Sequence, residues 1–295
     1  MLAMSSFPMP QNLAEAVNRE ADERREWAAT LPETVTALVR RWSLELGDPF
    51  QPGGQTAWVA PARTKTDANL VLKVAWHHTE AEHEPDGLRV WDGQGAVGLH
   101  AVEQFDDTVA LLLERCVPGH PLTRRPEAEQ DTVIASLLRR LWRDLPSDHP
   151  FRSLEAMCQA WADSFEAKTA TRPTSLDPGL AREGIALFRT LPTTAARHVL
   201  LCTDLHAGNV LAAKREPWLV IDPKPYVGDP TYDPLQHILN CEERLHADPR
   251  SLARRMADLL DLDADRLLLW LFARCVQGSA EFPDLAHVAR LVAPR

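Results

Sequence analysis

The chain has 295 residues, 45% of them hydrophobic, enough for one large core or two modest ones. A formal charge of −10 with no long basic run argues against a nucleic-acid partner and favours attraction of a cationic small molecule. Five dispersed cysteines without a C-x-x-C pair predict reduced thiols and a cytoplasmic protein. The first residues lack the basic-then-apolar order of a secretion signal, and no apolar run approaches the roughly twenty residues of a membrane span.

Residues 11–46 carry two helical patterns separated at Leu31-Pro32, the second placing Val35, Leu38, Val39 and Trp42 on one face. Residues 47–62 are rich in glycine and proline and lead into a short strand. Gly53 and Gly54, with Gln55 and Thr56, either let backbone N–H groups approach a triphosphate or form a plain β-turn; no G-x-G-x-x-G is present. Residues 70–76, LVLKVAW, read as a strand in which period two puts Lys73 on one face with Val71 and Ala75. A buried ammonium there needs a partner, unless the strand is an edge and the lysine snorkels into solvent.

Glu80, Glu82 and Glu84 compete for that role. Glu84 stands one turn before Leu88 and two before Trp91, on the face that packs inward, and is the first choice. Pro85 is tolerated only in a first turn, so the helix is expected to start at Glu84 or just before, with Glu80 as runner-up. Strands near residues 97–105 and 108–114 complete a mainly antiparallel sheet. Near residue 120 the period changes from two to 3.6, and helices are expected over residues 127–145, 154–169, 178–190, 233–245 and from 251 on.

Residues 198–222 interrupt this helical region with HVLLCTDLHAGNVLAAKREPWLVID, a strand, a polar elbow and a hairpin ending on an aspartate. Asp204, Asn209 and Asp222 have the spacing of D-x-x-x-x-N followed by a metal-holding Asp. Phosphoryl transfer uses such a set as one carboxylate to take the proton of an attacking hydroxyl and two oxygen ligands for magnesium. A plain hairpin with Asp204 and Asn209 capping a turn is the alternative. His206 and Lys224 lie beside these groups, as phosphate contacts or as local structural partners. Asp229 and Asp233 are expected to stabilise the loop, Asp233-Pro234 having the form of a helix start. Asp263 and Asp265 open the helix RLLLWLFARC.

CTDLHAGNVL followed by VIDPKPYVGDPTYDPLQHILNC resembles the aminoglycoside phosphotransferase superfamily, most closely its streptomycin 6-phosphotransferase and hydroxyurea phosphotransferase branch. The resemblance implies an α+β, bilobal, protein-kinase-like fold, with a small antiparallel-sheet nucleotide lobe and a larger, mainly helical lobe. The expected division is residues 1–46 as helices packing on the small lobe, 47–118 as that lobe, and 119–295 as the helical lobe with the acceptor site. It implies ATP and Mg2+ as cofactors, Asp204 as base, Asn209 and Asp222 on the metal, and Lys73 with Glu84 on phosphate. Gly53 and Gly54 would cover the nucleotide, and the Glu114 carbonyl and Cys116 N–H would hold adenine. Where the family has His-Gly before the catalytic Asp, this chain has Cys202-Thr203. The implied acceptor is a hydroxyl of a streptomycin-type antibiotic; hydroxyurea, a peptide antibiotic or a metabolite are alternatives, as is a catalytically silent module of the same fold.

Overall fold

A computed structural model describes residues 7–19, 22–66, 69–79, 82–105, 107–172 and 174–294. By internal contacts the chain forms two compact units, Met1–Gly119 and His120–Arg295.

In the first unit, α1 (Gln11–Arg19) and α2 (Asp22–Trp42) precede a five-stranded sheet. Its strands are β1 (Glu45–Leu46), β2 (Ala57–Arg63), β3 (Asn69–Trp76), β4 (Leu99–Phe105) and β5 (Thr108–Glu114), with α3 (Glu84–Trp91) between β3 and β4. The order is β1-β2-β3-β5-β4 and every pairing is antiparallel. The expected break at Leu31-Pro32 does not occur, because Pro32 lies inside α2. Pro32 has no N–H to give to the turn before it, yet Trp27, Ala28, Leu31, Val35 and Leu38 form one buried stripe across it. That stripe packs with Leu70, Leu72 and Val74 of β3 in a single cluster. Burial of such side chains contributes about 1.5–3 kcal/mol each, enough to offset a lost helical hydrogen bond.

In β3 the odd positions point away from that cluster, so Lys73 belongs to the opposite face, registered between Val59 of β2 and Leu111 of β5. This is an interior strand, and the edge-strand reading of Lys73 is excluded.

The second unit contains α4 (Glu127–Leu141), α5 (Leu154–Thr171), α6 (Pro178–Thr190), β6 (Val199–Leu201), β7 (Val210–Ala212), β8 (Trp218–Val220), β9 (Tyr226–Gly228), α7 (Leu235–Leu239), α8 (Glu242–Ala247), α9 (Pro249–Leu260), α10 (Ala264–Gly278) and α11 (Leu285–Val292). Helix α10 is its core element, burying Leu267, Trp270, Leu271, Phe272 and Val276, and it packs on α6, α9 and α11. Phe188 and Tyr232 meet the Trp270 ring edge-on at 6.1 and 5.0 Å. Asp263 caps α10 by accepting from the N–H groups of Asp265 and Arg266.

Two sequence expectations change here, and one strand appears that was not expected. Helix α4 ends at Leu141, short of residue 145, because Trp142 turns extended and the Arg143 carbonyl accepts from Leu200 N–H beside β6. The single helix expected over residues 233–245 is instead a short turn, α7 and α8. Strand β9 had no period-two signal in three residues, and it pairs antiparallel with β6.

Gly228, the last residue of β9, has no room for a side chain: a Cβ there would lie 2.4 Å from Leu154 Cβ. The clash is close to the backbone and cannot be relieved by rotation. Gly228→Ala is expected to cost about 1–3 kcal/mol, seen as a lower urea midpoint at unchanged m-value.

Candidate active site

In the first unit, the Lys73 ammonium donates to both carboxylate oxygens of Glu84, at 2.7 and 2.6 Å. The two residues are 7% and 2% exposed. Glu84 opens α3 with Pro85 in the first turn, where a missing N–H costs nothing. Glu80 lies outside the described residues. Breaking a buried pair by removing one partner is expensive because the other charge stays desolvated. Lys73→Met is expected to destabilise the protein by about 3–5 kcal/mol, and Lys73→Met/Glu84→Leu by less than the single change, both read from urea melts.

Gly53 has φ +75°, its carbonyl accepts from Asn12 Nδ2 at 2.8 Å, and a Cβ would lie 2.6 Å from Pro10 Cβ. The turn and the packing of residues 10–12 are sufficient reasons for glycine there. Gly54 has open space where a Cβ would be. Glu114 ends β5, its N–H donating to the Gly98 carbonyl and its carboxylate accepting from Gly98 N–H. Cys116 follows, largely buried, before the turn at Gly119.

In the second unit, β7 and β8 form the hairpin, and Ile221 N–H donates to the Asn209 carbonyl, so Asn209 and Asp222 stand at the same end of it. Asn209 gives its amide nitrogen to the Asp204 carbonyl at 3.1 Å. Its amide oxygen and the Asp222 carboxylate are hard oxygen atoms of the type that could hold magnesium. Asp222 has φ +52° and Thr203 φ +44°. Both are conformations that cost a side-chain-bearing residue about 1–3 kcal/mol and persist only where surroundings hold them.

Those surroundings are explicit. Asp233, 1% exposed, accepts from Cys202 N–H at 3.1 Å, Thr203 N–H at 2.7 Å and the Trp142 indole N–H at 2.9 Å. Asp233 therefore does not cap the helix that follows it; it braces Cys202 and Thr203, the two residues before Asp204. Burial pushes its carboxyl up to about 6, against the hydrogen bonds from Cys202, Trp142 and Thr203, which pull it down. Asp229, also buried, is fixed by Arg266 and the Trp270 indole. The expected loop-stabilising role of both aspartates is what the geometry shows.

Asp204 is gripped from two sides. Lys224 Nζ lies 3.0 Å from Oδ2 and Gln236 Nε2 donates to Oδ1 at 3.0 Å. Gln236 is not among the expected site residues: it sits in a five-residue helix inside the DPLQHILNC stretch, and nothing local signals that its side chain reaches Asp204. The next residue, His237, anchors that helix by bonding buried Asp131 at 2.9 Å, and Arg244 and Arg255 bond the same carboxylate. Asp131, His237 and Cys241 have ligand-type atoms within 4.8 Å of one another, but the two guanidinium groups already neutralise Asp131, so the cluster is a brace for α7 and not a metal site. Burial lowers the His237 pKa, and its bonds to Asp131 and Cys241 outweigh that and raise it overall. His206, by contrast, is pulled down by burial, consistent with a neutral ring whose Nδ1 accepts from Gly208 N–H.

A sheet unit with a buried Lys–Glu pair, followed by a helical unit whose loop and adjoining hairpin carry Asp204, Asn209 and Asp222, is the architecture of kinase-like phosphotransferases. The chain belongs to the aminoglycoside/hydroxyurea antibiotic resistance kinase family, whose sequence profile matches residues 41–285. It is thus a phosphotransferase with a hydroxyl group as acceptor. It is 33% identical to streptomycin 6-kinase of Streptomyces griseus, over 95% of this chain and 92% of that one. It is 32% identical to hydroxyurea phosphotransferase of Kitasatospora aureofaciens, over 86% and 74%. Among solved structures, choline kinase from Streptococcus pneumoniae shares the fold with a TM-score of 0.63 over 91% of this chain and 99% of that one, at 13% identity.

Proposed function

We propose that the protein transfers the γ-phosphoryl group of ATP to a hydroxyl of a streptomycin-type aminoglycoside and so protects its host from the drug. The observation that carries the reaction is the Asp204 carboxylate, held by Lys224 and Gln236 next to Asn209. The acceptor class is supported by whole-length similarity to streptomycin 6-kinases and by a net charge of −10 that suits a cationic drug. Hydroxyurea is the second acceptor, on the strength of the similarity to hydroxyurea phosphotransferase.

Asp204 orients the acceptor hydroxyl and takes its proton as the oxygen attacks phosphorus. Lys73, positioned by Glu84, supplies an ammonium for the nucleotide phosphates. Asn209 and Asp222 hold magnesium, which when bound neutralises charge on the phosphate oxygens. Gly53 and Gly54 cover the nucleotide, and the Glu114 carbonyl and Cys116 N–H meet its base. We assign residues 1–46 and 47–118 to the nucleotide-binding part and 119–295 to the part carrying acceptor and catalytic groups. No helix among the described residues is long and apolar enough to cross a membrane, none of the five cysteines is in a disulfide, and a cytoplasmic site of action is proposed because ATP is available there.

The test is magnesium-dependent ADP release from ATP with streptomycin, with hydroxyurea and with no acceptor in parallel. Release that requires streptomycin, with one phosphate added to the drug by mass, is the expected result. Release with hydroxyurea alone would move the acceptor to the second reading. Absence of ATP binding would overturn the reaction itself.

A further inference from the structure

We propose that Lys224 is a further catalytic residue of the phosphoryl transfer set out above, on which this inference rests: its charge passes from Asp204 to the transferring phosphoryl group as the acceptor proton arrives on Asp204.

The placement of Lys224 is built. Its N–H donates to the Cys202 carbonyl at 3.0 Å, and its own carbonyl accepts from Thr203 Oγ1 at 2.6 Å. Both backbone groups of residue 224 are therefore tied to the two residues directly before Asp204, and those two are in turn held by Asp233. This registers the Lys224 stem against the Asp204 stem independently of the ion pair their side chains make. The threonine that supplies one of the ties does so from a left-handed conformation, a strained arrangement of the kind retained where geometry has a use.

A stability role alone does not account for it. The Lys224 and Asp204 side chains are 22% and 21% exposed, so each is held by the fold yet open on one side to water and to substrate. Partial exposure is what a group that meets substrate requires. The Asp204 carboxylate has about four acceptor positions; Gln236 takes one, Lys224 another, and the long 3.5 Å contact from Asn209 a third. At least one position remains for the acceptor hydroxyl.

The charges explain why an ammonium belongs here. Before transfer, Lys224 balances the Asp204 carboxylate. In the step, the acceptor O–H bond breaks and its proton goes to Asp204. The electron pair of that bond forms the new O–P bond, and the P–O bond to the β-phosphate breaks with its electrons leaving on ADP. Asp204 is then neutral, and its negative charge no longer offsets the Lys224 ammonium beside it as the phosphate ester forms. The ammonium's favourable interaction with phosphoryl oxygens is therefore larger in the transition state than in the ground state, the condition under which a fixed charge accelerates a reaction.

The experiment compares the full chain with Lys224→Met and Lys224→Arg by steady-state kinetics, thermal melting, and binding of AMP-PNP and of ADP with aluminium fluoride, a mimic of the transferring phosphoryl group. Lys224→Met is expected to lower kcat by roughly 10²–10³-fold, as for loss of one transition-state donor, with acceptor KM, AMP-PNP affinity and melting temperature nearly unchanged. It is also expected to weaken the aluminium fluoride complex by about the same factor as kcat. Lys224→Arg keeps the charge and is expected to recover part of the loss. Wild-type kcat in Lys224→Met would overturn the proposal while leaving the phosphotransferase intact. Parallel loss of melting temperature and AMP-PNP affinity would reduce Lys224 to a structural partner. Failure of the unmutated chain to bind any nucleotide would overturn both readings, and the aluminium fluoride comparison decides the role of Lys224 even with an acceptor that turns over slowly.

Discussion

Asp204→Asn is expected to lower acceptor-dependent turnover by about 10²–10⁴-fold, the range for loss of a positioned proton acceptor. An amide oxygen does not take up the hydroxyl proton, and its NH2 group would face either the Lys224 ammonium or the Gln236 amide, both donors. The change is isosteric, but the Lys224 and Asp204 side chains are only 22% and 21% exposed, so the folded state is expected to lose about 1–3 kcal/mol from the broken ion pair and the facing donors. The checks are single-turnover phosphoryl transfer, AMP-PNP affinity and thermal melting. Undiminished transfer would show that Asp204 only shapes the loop. A fall in nucleotide affinity equal to the fall in rate would place its role in binding.

Asp233→Ala is expected to be the most damaging change among the residues that never meet substrate. It strands the N–H groups of Cys202 and Thr203 and the indole N–H of Trp142. At about 1–3 kcal/mol for each unsatisfied donor, and allowing for the partial exposure of Thr203 and Trp142, the cost is roughly 3–6 kcal/mol. Urea unfolding measures it directly, and turnover should fall as well, because residues 202 and 203 set the direction of Asp204.

Asp233 also makes a pH signature. Its folded pKa, about 6, lies above the ordinary aspartate value, so the folded state holds the proton more tightly than the unfolded chain does. Its contribution to stability is full below the unfolded value and is lost as pH rises between about 4 and 6. Asp233→Asn has no proton to lose at this position, so the stability difference between the unmutated chain and this variant should shrink across that window and stay level above it. A difference that grows with rising pH would contradict the buried, desolvated placement.

Much of this protein is local in origin and therefore legible. In residues 70–76 the alternation of apolar side chains placed Lys73 on one face, and the inward spacing of Glu84, Leu88 and Trp91 selected its partner, because strand and helix periods decide which side chains share a face. Asp204, Asn209 and Asp222 could be read as a set, since a tight loop and a hairpin hold residues close in sequence close in space. Pro85 marked a helix start for the same local reason, whereas Pro32 misled, because a buried stripe spanning Trp27 to Leu38 outweighs one missing hydrogen bond.

What sequence order alone determined is a set of candidate groups for the reaction and most of the elements that carry them. Only the tertiary structure decided how Asp204 is held: Asp233 bracing the loop from some thirty residues away, Gln236 reaching the carboxylate from the short helix α7, Lys224 tied through both backbone groups to residues 202 and 203, and β9 pairing with β6. These contacts join residues far apart along the chain. Closing the loops between them costs entropy that the packing of the helical unit has to offset, and no periodicity in a single segment encodes the contacts.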